Sequence, residues 1–466
     1  MTAPTPDAAS GFDTRQIHAG ASPDRSHGSR IPPIHLTAGY VFDSHQQAHE
    51  RFTGDDTGYS YSRLGNPTVG VVEQRLADLE GGTDAILLAS GAAATNVALL
   101  ALLGAGDHFL SSRALYQGTA NLFTENFARF GIEVEFVDHP SDPDDWARRI
   151  RPTTRLLFAE PIPNPTNDLI DLELVAGVAH HHGLPFVVDN TLATPYLLRP
   201  LEWGADVVIH SASKFLTGQG AALSGVVVSG ESFDWAAVPA LFPHLNSPSA
   251  ALHGKSFTQV HGRRAFSAYA RDVVSARTGA TVSPFNAFLL RQGLETLSLR
   301  MRQHSRNALA VAQWLDDRSE VLSVDHPGLA SNAFHALARK YLPAGQGSVF
   351  TFTVAGGEAG AAAIIGALQV FSHMTHIGDV RSLVLHPSST THWLLDDAER
   401  TRLGIHAGTI RVSVGTEDAR DLLDDLQQAF DSVALTELGI VQWQSFPTTD
   451  AASSVASAQF AEVSAP

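Results

Sequence analysis

The sequence predicts an α/β protein built on a mostly parallel sheet covered by helices on both faces, with a smaller α+β unit after it. Three observations carry that prediction. Between about residues 66 and 211, short apolar runs alternate with stretches whose apolar side chains recur every three to four positions, the pattern of strand–helix–strand units packed as a parallel sheet. Beyond residue 279 the order changes to a long helical stretch and a few separated strands. At 466 residues the chain also exceeds one ordinary core, so two or three units of roughly 100–200 residues are expected.

Residues 1–65 are rich in Gly, Pro, His and Asp without sustained periodicity, and read as an extended N-terminal arm. Asn66 then opens a helix in which Val69, Val72, Leu76 and Leu79 share a face and which Gly81-Gly82 stops. A strand is expected at 85–88, a helix at 92–103, a strand at 108–112, a helix at 118–130 and a strand at 134–138. An acidic-capped helix at 143–151, a strand at 156–160, a helix near 171–182 and strands at 186–189 and 207–211 continue the series. This first unit runs over 66–278, with a Pro-, His- and Ser-rich stretch at 235–262 that reads as a long loop or insertion. The second unit, 279–447, starts with a helical pattern through Phe285, Phe288, Leu289, Leu294 and Leu297, and has strands around 348–354 and 409–414 and a final helix at 417–430. The Ala/Ser-rich tail 448–466 is expected to be disordered.

Composition removes several functions. A hydrophobic content of 44% with 17% charged residues is that of a globular chain. With 31 Lys+Arg against 48 Asp+Glu, there is no cationic footprint for nucleic acid or anionic membrane. The absence of cysteine excludes disulfides, thiolate nucleophiles and Cys-based zinc sites. The first ten residues lack the basic and apolar regions of a secretory signal, no stretch suits a membrane span, and a cytoplasmic protein is expected. The 22 histidines include His180-His181-His182, but no ligand trio has metal-binding spacing, so no metal is expected.

Ligands on parallel sheets sit at the carboxyl ends of strands, which makes the residues after each apolar run candidates. Lys214 stands in His210-Ser211-Ala212-Ser213-Lys214-Phe215, after Val207-Val208-Ile209. Burial there disfavours the ammonium and suits imine formation, although a lysine at a strand end also snorkels to solvent. Ser211 and Ser213, on extended backbone, would face a bound phosphate from one side. Asp189 ends Phe186-Val187-Val188, where it could keep a pyridinium nitrogen protonated or simply order the turn at Asn190-Thr191. An amine and a carboxylate on neighbouring strand ends point to pyridoxal 5′-phosphate (PLP), with Lys214 as its Schiff-base lysine. Ser90-Gly91-Ala92 follows Ile86-Leu87-Leu88 and opens a helix, an anion cradle that also occurs without ligands. Tyr61 and Arg63 on the arm suit a phosphate clamp or a plain surface pair. Arg411, alternating with apolar neighbours in 409–414, needs an acid partner or a ligand carboxylate. Nucleotide motifs are broken: Gly218-Gln219-Gly220 is followed by Leu223 in place of a third glycine, and Ser249 precedes His253-Gly254-Lys255-Ser256 where a P-loop needs glycine.

Together these segments resemble the Cys/Met-metabolism family of PLP enzymes, which includes cystathionine γ-synthase, methionine γ-lyase and O-acetylhomoserine sulfhydrylase, over about residues 12–430. The resemblance implies the PLP-dependent transferase fold of type I. It also implies that Tyr61 and Arg63 bind the cofactor phosphate of a neighbouring subunit, while Ser90, Gly91, Ala92, Ser211 and Ser213 bind that of their own. Tyr116 would stack on the ring and assist proton transfer, Asn164 touch the ring hydroxyl and Asp189 the ring nitrogen. Arg411 would take the substrate α-carboxylate, with His376 and Thr391 nearby. The sulfhydrylases are the nearest likeness, through Asp189-Asn190-Thr191-Leu192-Ala193-Thr194-Pro195, the insertion, and Gly378-Asp379 followed by His386-Pro387-Ser388-Ser389-Thr390-Thr391-His392. Departures are Ser213 for Thr, Ala92 for Met, Gln219 for His, Ser388 for Ala and His376 for Asn. The implied reaction is γ-substitution on O-acetyl-L-homoserine by sulfide or a small thiol, giving homocysteine or methionine plus acetate, with the Lys214 amine as base. Cystathionine γ-synthase or γ-lyase chemistry, and more remotely a non-catalytic α/β binding protein, stay open. Phosphate donors from a neighbour imply a homo-oligomer, commonly a tetramer made from dimers.

Overall fold

A computed structural model describes residues 10–21, 23–24, 26–435 and 441–442. The expectations for the first nine residues and for the tail 448–466 lie outside them. The arm is less extended than its composition suggests. It contains helices α1 (Phe12–His18) and α2 (His45–Thr53), and α1 is tied down by Gln16 Nε2 donating to Ser298 Oγ at 2.9 Å. Helix α3 (Pro67–Glu80) follows its sequence signals: the Asn66 side chain accepts from the Thr68 N–H, Pro67 presets the first turn, and Gly81 takes φ 76° at the end. Its buried Arg75 donates to the carbonyls of Ala19 and Ile17 at 3.0 and 2.8 Å, so the arm and α3 form one body.

Seven strands make the large sheet: β1 (Asp84–Leu88), β2 (His108–Ser112), β3 (Glu133–Val137), β4 (Thr154–Ala159), β5 (Phe186–Asp189), β6 (Val207–His210) and β7 (Gly225–Ser229). Their order is β1-β7-β6-β5-β4-β2-β3. Pairing is parallel from β3 through β6, and only β7 runs against its neighbours β1 and β6. The sequence expectation passed over β7. Its Val226-Val227-Val228 run is as long as the Val207-Val208-Ile209 run of β6, but it follows the Gly- and Ala-containing stretch 218–225 instead of a helical pattern, so the strand–helix alternation does not reach it. Helix α4 (Gly91–Leu100) leads from β1. The helix expected at 118–130 is present with a π-helical turn over Leu122–Phe127, and the one expected at 143–151 is only Pro143–Ala147.

The stretch 235–262 is no free loop. It folds into short helical turns, among them Pro243–Asn246 and Phe257–His261, because Trp235, Phe242, Leu245 and Phe257 bury against the same core as Val97, Phe109 and Phe123. A fully buried aromatic or leucine is worth roughly 1.5–3 kcal/mol, enough to hold a polar stretch in place. The second sheet holds β8 (Val321–Asp325), β9 (Val349–Val354), β10 (Ser372–His373), β11 (Leu383–Leu385) and β12 (Thr409–Ser413), in the order β10-β11-β12-β9-β8. It is antiparallel except for β10 and β11. Its own core begins at Ala308, whereas Ala287, Leu290, Leu294, Leu297 and Met301 pack with the large sheet's core. The helix Leu297–Asp316 therefore joins the two units, and the packing changes hands along it instead of at residue 279. Among the described residues no helix is long and apolar enough to cross a membrane.

Candidate active site

β5 and β6 lie side by side, with Asp189 opposite Ile209, so their carboxyl ends deliver Asp189 and the turn after β6 to one place. That turn is wound, not extended: the Lys214 N–H donates to Ser211 O at 3.1 Å and the Gly218 N–H to Lys214 O at 2.8 Å. The two serines consequently do not share a side. The buried Ser213 Oγ donates to Ser224 O at 3.1 Å and accepts from the Ser224 N–H at 3.0 Å. Ser211 instead lies against Gly91, where a Cβ would stand 2.7 Å from Ser211 Oγ. At that junction the Ser90 hydroxyl accepts from the Ala93 N–H at 3.1 Å and caps α4. The first-turn amides of Gly91 and Ala92, as at any helix start, have no intrahelical acceptor and sit at the positive end of the dipole.

Asp189 Oδ1 accepts from the N–H of Thr191 at 3.0 Å and also from its hydroxyl. Thr191 Oγ1 in turn accepts from the Ser211 N–H at 2.8 Å, so one threonine ties the two strand ends together. Burial raises the Asp189 carboxyl, opposed by its bonds to Thr191 and by His210. Glu160, next after β4, is driven well above the usual carboxylate range by burial and by the charge of Asp189, and accepts from the Tyr116 N–H at 2.9 Å. Having fewer donors than Asp189, Glu160 is the member of this pair pushed further towards the neutral form. Behind them, His210 Nε2 and Glu80 Oε1 lie 2.5 Å apart, both side chains fully buried.

Burial, and secondly the Arg411 charge, bring the Lys214 amine down from 10.5 to about 8. Its Nζ lies 3.1 Å from His376 Nδ1, and no acid partner pairs with it among the described residues. Arg411 is 3% exposed on β12. Its Nη1 donates to Asn164 Oδ1 at 3.3 Å and its Nη2 to Thr375 O at 2.9 Å. It too lacks a carboxylate partner among the described residues, and burial lowers it to about 10. Tyr116 is half exposed and close enough to raise Arg411 electrostatically. The Thr391 hydroxyl is engaged with His392 Nδ1 at 2.9 Å, and burial followed by Arg411 lowers His392 to about 4.

The structure thus gathers Lys214, Asp189, Ser211, the Ser90 turn, Tyr116, Asn164, Arg411 and His376. Ser213 is engaged beneath the turn, and Tyr61 and Arg63 make no hydrogen bond to this group. Arg63 donates to Ala276 O of its own chain and lies over the Tyr61 ring at 5.6 Å. Sequence reasoning passed over Glu160, at the end of the strand expected at 156–160, and Thr191, within the quoted segment 189–195. Glu160 follows the apolar run of β4 directly, so the strand-end rule applied to Asp189 reaches it as well. The Glu80–His210 pair carries no local signal, since Glu80 reads as the last polar residue of an amphipathic helix.

The donor set fits PLP. Buried polar atoms are nearly always paired, and among those of the described residues without a partner, Arg411 Nε, His376 Nε2 and His392 Nε2 gather near Lys214 or Arg411. A lysine with depressed pKa would take the aldehyde, Asp189 the ring nitrogen, and Ser211 with the first amides of α4 the phosphate.

Fold and donor set define a PLP-dependent enzyme of transferase fold type I. The chain belongs to the Cys/Met metabolism PLP-dependent enzyme family, whose profile matches residues 13–431. It is 44% identical over 426 residues to the O-acetyl-L-homoserine sulfhydrylase of Corynebacterium glutamicum, covering 91% of this chain and 97% of that one. It is 41% identical to the homocysteine synthase of Schizosaccharomyces pombe, covering 90% and 98% respectively. Among solved structures it superposes on a putative O-acetylhomoserine (thiol)-lyase from Campylobacter jejuni with TM-score 0.85 and 36% identity, over 91% of this chain and 100% of that one. That structure carries a pyridoxyl-lysine monophosphate.

Proposed function

We propose that the chain catalyses γ-substitution on O-acetyl-L-homoserine, with sulfide or a small thiol as acceptor and homocysteine or methionine plus acetate as products. The observation that carries this reading is the meeting of a depressed lysine amine with a buried arginine that has no acid partner among the described residues, the pair an α-amino acid needs at its Cα and its carboxylate. The names of the sulfhydrylase relatives support the ester and the sulfur acceptor.

When bound, PLP supplies an electron-accepting ring that stabilises charge left on the substrate carbons as protons depart. Asp189 keeps the proton on the ring nitrogen, itself held by Thr191. Arg411 takes the α-carboxylate in its fork, which sets Cα towards Lys214. The Lys214 amine would take the Cα proton and hand it to the adjacent carbon of the bound cofactor, then take a Cβ proton as acetate leaves Cγ with the C–O electron pair; once the deprotonated sulfur has bonded to Cγ, the same amine would return protons to Cβ and Cα. Tyr116 assists these transfers, while Asn164 holds Arg411 and would reach the ring hydroxyl. His376 and Thr391 line the substrate side. Tyr61 and Arg63 serve the phosphate of a neighbouring subunit in a homo-oligomer, a tetramer made from dimers. The exposure of Leu36 at 68% and Val41 at 92% on the arm supports such a contact. The cytoplasm is the compartment proposed.

A substrate panel tests the reaction. O-acetylhomoserine with sulfide should release acetate and homocysteine. Faster turnover of O-succinylhomoserine with cysteine would make the enzyme a cystathionine γ-synthase, and ammonia release from methionine a γ-lyase.

A further inference from the structure

We propose that His376 is a positioning residue for Lys214, its neutral ring accepting a hydrogen bond from Nζ and so setting both where the amine stands and how readily it releases a proton. The inference deepens the proposed function, because it takes Lys214 as the amine that captures PLP and moves the substrate proton.

The contact joins the two units. Lys214 sits after β6 of the large sheet and His376 between β10 and β11 of the small one, 162 positions apart, and their nitrogens are 3.1 Å from each other. Burial and then the charge of Lys214 lower the imidazole to about 4, so the ring is neutral in ordinary buffers and carries one hydrogen. Nδ1 faces the amine, and as the acceptor in the proposed bond it leaves that hydrogen on Nε2. Nε2 is buried without a hydrogen-bond partner among the described residues. The carboxylate on that flank is Asp379: a Cβ added at Gly220 would stand 2.9 Å from Asp379 Oδ2 and 3.9 Å from His376 Nε2. The ring thus has the Lys214 amine at Nδ1 and Asp379 as a neighbouring carboxylate, whose charge opposes the lowering of the imidazole. Arg411 approaches from β12, its Nη2 donating to His376 O at 3.4 Å, with Tyr116 and His392 beyond it.

These groups act on Lys214 in opposite senses. Burial and Arg411 favour the neutral amine, whereas an acceptor at Nδ1 favours the ammonium. When the amine takes a proton from a substrate carbon, its lone pair becomes a third N–H bond and one N–H donates to Nδ1. When the proton returns to carbon, the lone pair is restored, and the imidazole is unchanged throughout. Without the acceptor, the ammonium would be a buried charge lacking a partner on this side.

The test is the rate at which the full-length apoprotein captures added PLP as a function of pH, followed by the visible absorbance of the bound cofactor. Only the unprotonated amine attacks, so the midpoint reports Lys214. His376→Leu should lower that midpoint by about one pH unit or more, the effect of removing a hydrogen bond to a charged group. His376→Asn, which keeps an acceptor oxygen, should stay close to the unmodified protein, and His376→Ala serves if leucine is not tolerated. An unmoved midpoint in the apolar variants, with capture slowed equally at every pH, would overturn the proposal. Capture needs neither ester nor thiol, so failure of the sulfhydrylase reading in the substrate panel would leave these midpoints standing, and the reverse also holds.

Discussion

A lysine near pH 8 among buried neighbours leaves its mark on stability as well as on chemistry. Lys214 falls from 10.5 to about 8 on folding, so between those values the unfolded chain binds a proton that the folded one does not, and apoprotein stability should rise with pH across that window. Below about pH 8 the cost of the buried ammonium is fully present, on the order of 3 kcal/mol at about 1.4 kcal/mol per unit. Urea midpoints of the apoprotein at pH 7.5 and 10 should show that rise (roughly the window above), and Lys214→Met should flatten it. Lys214→Ala should also lose the visible band of the bound cofactor and about 10²–10⁴-fold or more in turnover, the usual worth of a proton-transferring side chain. Retention of that band would exclude Lys214 as the attachment point. Arg411→Lys keeps charge but loses the planar fork. It should raise KM for the amino-acid ester by about tenfold or more, equivalent to about 1.4 kcal/mol, with a smaller change in kcat.

At the scale of elements, the site depends on how closely β7 passes the start of α4. Gly225 opens β7, and a Cβ there would lie 2.0 Å from Ser90 O, a backbone atom that cannot swing aside. Gly225→Ala should cost about 1–3 kcal/mol in denaturant unfolding, as overpacking does, and should weaken PLP binding by displacing the amides of Gly91 and Ala92. A variant that is destabilised with unchanged PLP affinity would separate the strand's structural role from the phosphate cradle. Most of these elements could be read from sequence. Asn66, Pro67 and Gly81 bracket α3 as their chemistry requires, and apolar runs located β2 and β5 residue for residue. The antiparallel β7 escaped because no helix separates it from β6, its neighbour in the sheet, and the folded insertion because the core it buries against lies far along the chain.

For the whole molecule, the separation of Tyr61 and Arg63 from the Lys214 site is the feature with a direct assembly test. If they serve a neighbour's phosphate, Arg63→Ala and Lys214→Ala are each inactive alone yet complement when mixed and reassembled. Half of randomly paired dimers then contain one intact site out of two, so activity should recover to roughly a quarter of the unmodified enzyme. No recovery after subunit exchange, verified by tagged chains, would place Arg63 in its own subunit's chemistry.

By itself, the sequence determined which groups are available and that they fall at strand ends: an amine after β6, a carboxylate closing β5, a capped glycine turn after β1 and an arginine on a late strand. That much is local, because periodicity and caps act over a few residues. Only the tertiary structure decided how those groups are used. It wound the turn after β6 so that Ser211 and not Ser213 meets Gly91, set Glu160 beside Asp189 where burial and that charge push it towards its neutral form, and brought His376 to Lys214 from the other unit. Protonation and hydrogen-bond partnership depend on burial and on neighbours in space, and neither quantity exists until the chain has folded.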